Sequence, residues 1–390
     1  KLTIIYLNSI FERRNKMNFR KMLSIIMVAV LCLTLFSGCG EDKNAGDNAT
    51  ISTTEPAAVS GKTITLVGGM ENMGFYENLK KGGEEAAKKY GFTLEYIGIE
   101  DTETSDSATH IKKLEKALES DTSGAVITPM GDGYSDVLSK FYDKNIPVVQ
   151  IDSITRDDVE DLESKNKNPI VSTVLTDYKQ AGKLCAEKVF EKVKDDIKKE
   201  ENTYVIGIIE RDDNAYDEEK AEGFSEKFTE LADADESTKG KYKIETEDGA
   251  DSLEALMNEK VKVIFITHPE IADKLSDTVS ADKEKYKDII FCGFDSGAKQ
   301  LKWLESEDSG EFIGGVAQDS YNLGYNAVEQ CIFSIQGKEL KPDIKIEGHW
   351  YDKTNTDKMM QDKFIFSKYC SNFTDNAVSA FCCFHRVIKF

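Results

Sequence analysis

Carboxylates, amides and aromatic rings recur along this chain in short clusters, each placed directly after an apolar run. Gly68-Gly69-Met70-Glu71-Asn72-Met73-Gly74-Phe75-Tyr76 follows the first run, and Pro129-Met130-Gly131-Asp132-Gly133 the third. Asp152-Ser153 follows the fourth, and Glu210-Arg211-Asp212-Asp213-Asn214 a later one. Thr267-His268-Pro269, Asp295-Ser296-Gly297 and Gln318-Asp319-Ser320 complete the series. A carboxylate accepts two hydroxyl protons, a primary amide both donates and accepts, and an aromatic face packs on the C–H face of a sugar ring. Such an inventory suits a small polyhydroxyl ligand. Asp and Asn after a strand also serve as helix N-caps, the role expected of Asp177 and Asp319, and glycines there turn the chain. The set carries the inference; no single member does.

Signatures of covalent or metal chemistry are missing. Neither G-x-G-x-x-G nor a P-loop occurs, and in Gly293-Phe294-Asp295-Ser296-Gly297 the serine stands one place too late for a nucleophile elbow. There is no H-E-x-x-H among the four histidines, and Asp233-Ala234-Asp235 lacks the glycine and distal glutamate of a calcium loop. Of eight cysteines, Cys185, Cys292 and Cys331 lie in the body of the chain, far apart and without a C-x-x-C, and are expected as buried thiols. No catalytic residue, metal or cofactor is expected. Asp152 and Asp295 resemble a glycosidase pair only in type, since nothing in the sequence marks one as an acid of raised pKa.

Positioning these clusters requires alternating strands and helices. Apolar strand-like runs lie at Thr63–Val67, Phe92–Ile97, Ala125–Thr128, Val148–Ile151, Ile170–Leu175, Tyr204–Ile209, Val261–Ile266, Ile289–Phe294 and Phe312–Val316. Helical patterns separate most of them: Phe75–Tyr90, His110–Glu119, Tyr178–Lys194, Ala215–Leu231, Ile271–Ser280 and Tyr321–Ile335. Continuous apolar strands between helices of this length imply parallel sheets covered on both faces. About ten strands exceed one comfortable sheet, so an α/β fold of two lobes follows. The polar stretch 153–169 interrupts the apolar pattern and is expected to carry the chain between them. In such sheets ligands bind beyond the carboxyl ends of the strands, where the clusters stand.

The chain has 390 residues, 40% of them apolar, and 50 Lys and Arg against 71 Asp and Glu give a net charge of −21. A core of this size excludes disorder and a multi-span membrane protein, and the acidity argues against a nucleic-acid partner. The N-terminus differs from the body. After Met17, the expected start, come Arg20 and Lys21, an apolar run from Met22 to Phe36, and Ser37-Gly38-Cys39. Positive charge, a short apolar run and small residues before a cysteine resemble the bacterial lipobox, with Cys39 lipidated. Residues 40–61 read as a flexible tether, and the basic, cysteine-rich tail 368–390 has no evident role in the fold.

Thr63-Ile64-Thr65-Leu66-Val67 through Phe75-Tyr76-Glu77-Asn78-Leu79-Lys80-Lys81-Gly82, Ile146-Pro147-Val148-Val149-Gln150-Ile151-Asp152, Cys292-Gly293-Phe294-Asp295 and Val316-Ala317-Gln318 stand in an order similar to that of the ribose- and galactose-binding proteins of bacterial ABC importers. The resemblance covers most of residues 62–352. It implies two Rossmann-like lobes joined by three hinge strands, crossing near Thr176, Gln318 and His349. The lobes would be 62–175 plus 319–348 and 176–318 plus 349–367. It also implies ligand contacts from Asn72, Phe75, Tyr76, Asp152, Asp295 and Gln318, with His268 where many members carry Asn; Ser153 and Arg211 join the candidate ligand-binding residues beside them. Two positions depart from the family pattern. Ser153 follows the matched aspartate where Arg is usual, and Glu218 and Lys220 precede Gly223-Phe224 where a second Arg is expected, leaving Arg211 or Arg156 as substitutes.

The expectation is an exported, monomeric lipoprotein on the outer side of the bacterial cytoplasmic membrane. It would capture a monosaccharide and deliver it to an ABC permease. The alternatives are a ligand sensor docking on a membrane receptor and, further off, an exported hydrolase; a cytoplasmic repressor would need a basic helix-turn-helix where the apolar segment stands.

Overall fold

A computed structural model of the protein describes residues 61–71, 73–212, 214–306 and 310–361; the export signal with Cys39, the tether up to residue 60, Asn72 and the tail 368–390 lie outside these. Two six-stranded sheets organise the chain, each wrapped by helices, in an α/β fold of two lobes. The N-lobe contributes β1 (Thr63–Met70), α1 (Gly74–Tyr90), β2 (Thr93–Ile99), α2 (Ser107–Glu119), β3 (Thr122–Ile127), α3 (Ser135–Asp143), β4 (Val148–Ile151), α4 (Arg156–Ser164) and β5 (Ile170–Thr176). The C-lobe follows with α5 (Tyr178–Lys199), β6 (Tyr204–Glu210), α6 (Ala215–Ala234), β7 (Tyr242–Asp248), α7 (Leu253–Asn258), β8 (Val261–Ile266), α8 (Pro269–Ala281), α9 (Lys283–Tyr286), β9 (Ile290–Phe294), α10 (Ala298–Glu305) and β10 (Glu311–Ala317). Then α11 (Ser320–Ile335) and β11 (Asp343–Ile346) return to the N-lobe, while β12 (His349–Tyr351) and α12 (Thr356–Gln361) close the C-lobe.

Strand order is β11-β5-β4-β3-β1-β2 in one sheet and β12-β10-β9-β8-β6-β7 in the other. All pairs are parallel except β12 on β10. Both sheets reverse their winding beside the first strand, β1 and β6, and the crevice for a ligand opens at such a reversal. The central strands are mostly apolar because helices cover both faces; every residue of β1 from Ile64 to Met70 is buried. Each lobe also holds one helix pair crossing at glycine. A Cβ on Gly324 of α11 would stand 2.0 Å from the Leu79 carbonyl of α1, and one on Gly223 of α6 would stand 2.0 Å from the Lys179 carbonyl of α5. Only glycine lets the backbones approach this closely.

The polar stretch 153–169 does not carry the chain between lobes. It forms α4, which stays on the N-lobe through Leu162 and the preceding Ile154. Asp158, 5% exposed, fastens it by accepting from the Gly133 and Ser135 amides, both at 3.0 Å. A nearly all-polar surface helix lacks the apolar stripe that announces a helix in sequence. The crossings come instead after β5, after β10 and after β11. Asp177 and Asp319 do cap the helices that follow the first two, accepting from the amides of Gln180 at 3.1 Å and Asn322 at 3.0 Å. Among the described residues, no helix is long and apolar enough to cross a membrane.

Candidate functional site

β4 and β9 hold equivalent places in the two sheets, and each ends in an aspartate with left-handed backbone. Asp152 has φ +61° and Asp295 φ +68°. Each amide still bonds the neighbouring strand, Asp152 to the Val174 carbonyl at 3.0 Å and Asp295 to the Val316 carbonyl at 2.8 Å. Aspartate tolerates this conformation better than most residues, yet it still costs of order 1 kcal/mol. The turn leaves both carboxylates half-buried at the carboxyl ends of their sheets.

The first crossing delivers a partner to one of them. Tyr178, the first residue of α5, donates its hydroxyl to Asp152 Oδ1 at 2.7 Å and so joins the lobes. The second crossing delivers Gln318, which donates to Asp295 Oδ2 at 3.1 Å and accepts from the Thr176 hydroxyl of the first crossing at 2.8 Å. Tyr351 of β12 bonds the Asp295 carbonyl at 2.6 Å. Asp295 is therefore gripped by two of the segments that link the lobes.

Both carboxyls are pushed up by burial, Asp295 to about 6; Tyr178 and Lys220 oppose the shift at Asp152, and Gln318 and Lys220 oppose it at Asp295. The sequence gives no sign of such raised acids. The Tyr76 hydroxyl is driven up by burial and by the charges of Asp152 and Asp295, so one tyrosine senses both lobes' carboxylates. Phe75 packs edge-on against Tyr76 at 5.2 Å, both in the first turn of α1. Across the gap, Tyr216 of α6 lies 4.7 Å from the Tyr178 ring and reaches Ser153 with its hydroxyl.

Behind these groups lies a buried charge network. Lys220, 2% exposed, donates to Asp217 Oδ1 at 2.8 Å and to the Thr267 carbonyl at 2.7 Å, with Nζ 4.2 Å over the Phe294 ring. Arg211 embraces the same Asp217, its Nε at 2.7 Å from Oδ2 and its Nη2 at 3.2 Å from Oδ1. Burial works against charge on Asp217, but Lys220 and Arg211 overcome it and hold its carboxyl well below the ordinary range. His268 sits beside this network as the N-cap of α8, with Nδ1 accepting from the Glu270 amide at 3.2 Å. Glu210, at the end of β6, has Oε2 buried without a hydrogen-bond partner among the described residues, and burial with the nearby Asp248, Asp217 and Glu218 raises its carboxyl to about 7.

Of the residues picked from sequence, the structure gathers Tyr76, Asp152, Ser153, Asp295 and Gln318, with Phe75 alongside. Arg211 and His268 stand one layer back, engaged with Asp217 and with the α8 terminus. Sequence reasoning missed Tyr178, Tyr216 and the Asp217–Lys220 pair as parts of the site. A signal was present: Asp217, Lys220, Ala221 and Phe224 share one face of α6, an apolar stripe holding opposite charges three residues apart.

Residues 64–339 match the family model described as periplasmic binding protein domain. A sequence comparison with curated proteins returned no match. Among solved structures, a protein from Brachyspira murdochii described as an ABC transporter, LacI family transcriptional regulator is 25% identical, with TM-score 0.66, covering 79% of this chain and 99% of its own. A glucose-galactose binding protein from Geobacillus stearothermophilus is 21% identical, with TM-score 0.56 over 76% of this chain and 99% of that one. A carbohydrate transporter solute binding protein from Agrobacterium radiobacter, in complex with D-arabinose, is 18% identical, with TM-score 0.56 over 78% and 99%. With two lobes of six strands and a family match across most of both, the chain belongs to the periplasmic binding protein domain family.

Proposed function

We propose that this protein captures a small polar solute, a monosaccharide by class, between its lobes and presents it to an ABC importer permease in the membrane. The carrying observation is the convergence of Asp152 from one lobe and Asp295 from the other, each on left-handed backbone, each with one oxygen held by a neutral donor. The oxygens left over suit ligand hydroxyls, and Phe75, Tyr76 and Tyr216 supply faces for a ring. Ligand contacts to both lobes favour the closed form, and no covalent step is required. Asn72 completes the proposed contacts, and Arg211 and His268 support them from behind through Asp217 and the α8 terminus. We place the mature protein outside the cytoplasmic membrane, as a monomer anchored through Cys39. The raised carboxyls of the two aspartates serve binding in this scheme, so no turnover is expected. The relatives that bind D-arabinose or are named for glucose and galactose support the ligand class.

The test is a thermal-shift panel of pentoses, hexoses, inositols, nucleosides and amino acids on the full chain, with a turnover assay on any hit. A ligand at about 100 times its Kd adds roughly 2.7 kcal/mol, which is several degrees of melting temperature. Asp152→Ala or Asp295→Ala should then weaken binding by about 1–3 kcal/mol. A cooperative melt that no sugar shifts overturns the proposal.

A further inference from the structure

The charges around the cleft do not balance. Asp152, Asp295, Asp217 and Glu210 are carboxylates, and the cations set against them are Lys220 and Arg211. Both cations are committed behind the cleft wall. Lys220 spends its donors on Asp217 and the Thr267 carbonyl, and Arg211 lays Nε and Nη2 on Asp217. Among the described residues, no lysine or arginine forms an ion pair with Asp152 or Asp295; their hydrogen-bond partners are the neutral Tyr178 and Gln318. Glu210 adds a buried carboxylate oxygen with no partner at the same end of the C-lobe sheet. Two half-buried carboxylates, each with one oxygen held by a neutral donor, offer a cation charge on both sides of the gap.

We propose that the ligand is a hydroxylated cation, an amino sugar or a close relative, with its ammonium group between Asp152 and Asp295. The inference rests on the solute-binding reading and narrows its ligand class. A neutral sugar would add only hydroxyl dipoles to the Tyr178 and Gln318 bonds and to the field of Lys220, which is paired with Asp217. An ammonium neutralises part of the excess and recovers Coulomb energy that a half-buried site screens weakly. Acidic sugars would add a like charge and be rejected.

The test is calorimetric titration of the full chain, at pH 7, with D-glucosamine, D-galactosamine and D-mannosamine. Each is paired with its parent hexose and its N-acetyl form, which keeps the bulk and removes the charge. The expected result is one amine binding at least about tenfold tighter than both of its neutral partners. Asp295→Asn and Asp152→Asn, each verified by a cooperative melt, should each shrink that gap to threefold or less. A parent hexose that binds as tightly as its amine overturns the cationic ligand while leaving the solute-binding proposal standing. So does an amine preference that survives both substitutions. Silence from every sugar, charged or neutral, here and in the thermal panel overturns both.

Discussion

Replacing Lys220 with methionine isolates the buried charge network from the rest of the C-lobe. Methionine retains the apolar stem within the α6 packing and removes only the ammonium. Lost with it are the 2.8 Å bond to Asp217, the 2.7 Å bond to the Thr267 carbonyl and the cation 4.2 Å over Phe294. Removing one member of a buried ion pair ordinarily costs about 3–5 kcal/mol, because the other charge is left uncompensated. Here Arg211 keeps two bonds on Asp217, and the substitution also relieves the desolvation of Lys220 itself. The expected loss is therefore about 2–3 kcal/mol, or roughly 3–5 °C in Tm for a folded body of this size. Urea denaturation of wild type, Lys220→Met, Asp217→Asn and the double variant closes a cycle. The double variant should be more stable than the sum of the singles by at least about 1 kcal/mol. A loss below about 0.5 kcal/mol in Lys220→Met, or strict additivity, would refute the view that Lys220 holds Asp217 in its charged, buried state.

Asp295 makes the ligand-free protein sensitive to pH. Its folded carboxyl is raised to about 6, so the folded state favours the proton; this contribution to stability is full below about pH 4 and lost as the pH rises through 6. Asp295→Asn should therefore melt above wild type at pH 7 by clearly more than at pH 4.5, in differential scanning calorimetry without ligand; equal offsets at both pH values count against the raised carboxyl. For the anchor, Cys39→Ala should move the protein from the membrane fraction to the soluble fraction of expressing cells, and retention in the membrane fraction dismisses lipidation at that residue.

Much of this architecture was readable in the residues. The central strands declared themselves because burial on both faces demands predominantly apolar runs, as in β1 and β8. Of the edge strands, β2 did so as well, but β7, β11 and β12 did not. β7 carries Tyr-Lys-Ile-Glu-Thr-Glu-Asp with no residue fully buried, and β11 alternates exposed and half-buried positions in Asp-Ile-Lys-Ile. A strand with one neighbour can be mostly polar, and local composition then cannot distinguish it from a loop. The aspartates of the site stood out because each follows directly on a buried strand. Lys220 and Asp217 stayed hidden for the converse reason. In Tyr216-Asp217-Glu218-Glu219-Lys220 the crowd of charges reads as a solvated helix face, and the stripe that Asp217 and Lys220 share with Ala221 and Phe224 is the one local cue that they turn inward. Tyr178 gained its place from the crossing between lobes, a relation that no local pattern encodes.

The three crossings also set an order of assembly. Residues 178–317 supply five of the six C-lobe strands in one contiguous stretch, whereas the N-lobe waits for α11 and β11, which arrive only after that stretch. α11 packs on the core of β1, β3, β4 and β5, so the N-lobe emerging first from the ribosome lacks a cover for its sheet. Joining β5 to α11 across about 140 intervening unfolded residues would carry a large loop-closure entropy. Once the C-lobe has folded, its entry and exit lie side by side, with Thr176 and Gln318 bonded at 2.8 Å, and that loop is already closed. The later lobe thus acts as a clasp for the earlier one, and the first half of the chain reaches its native state by way of the second.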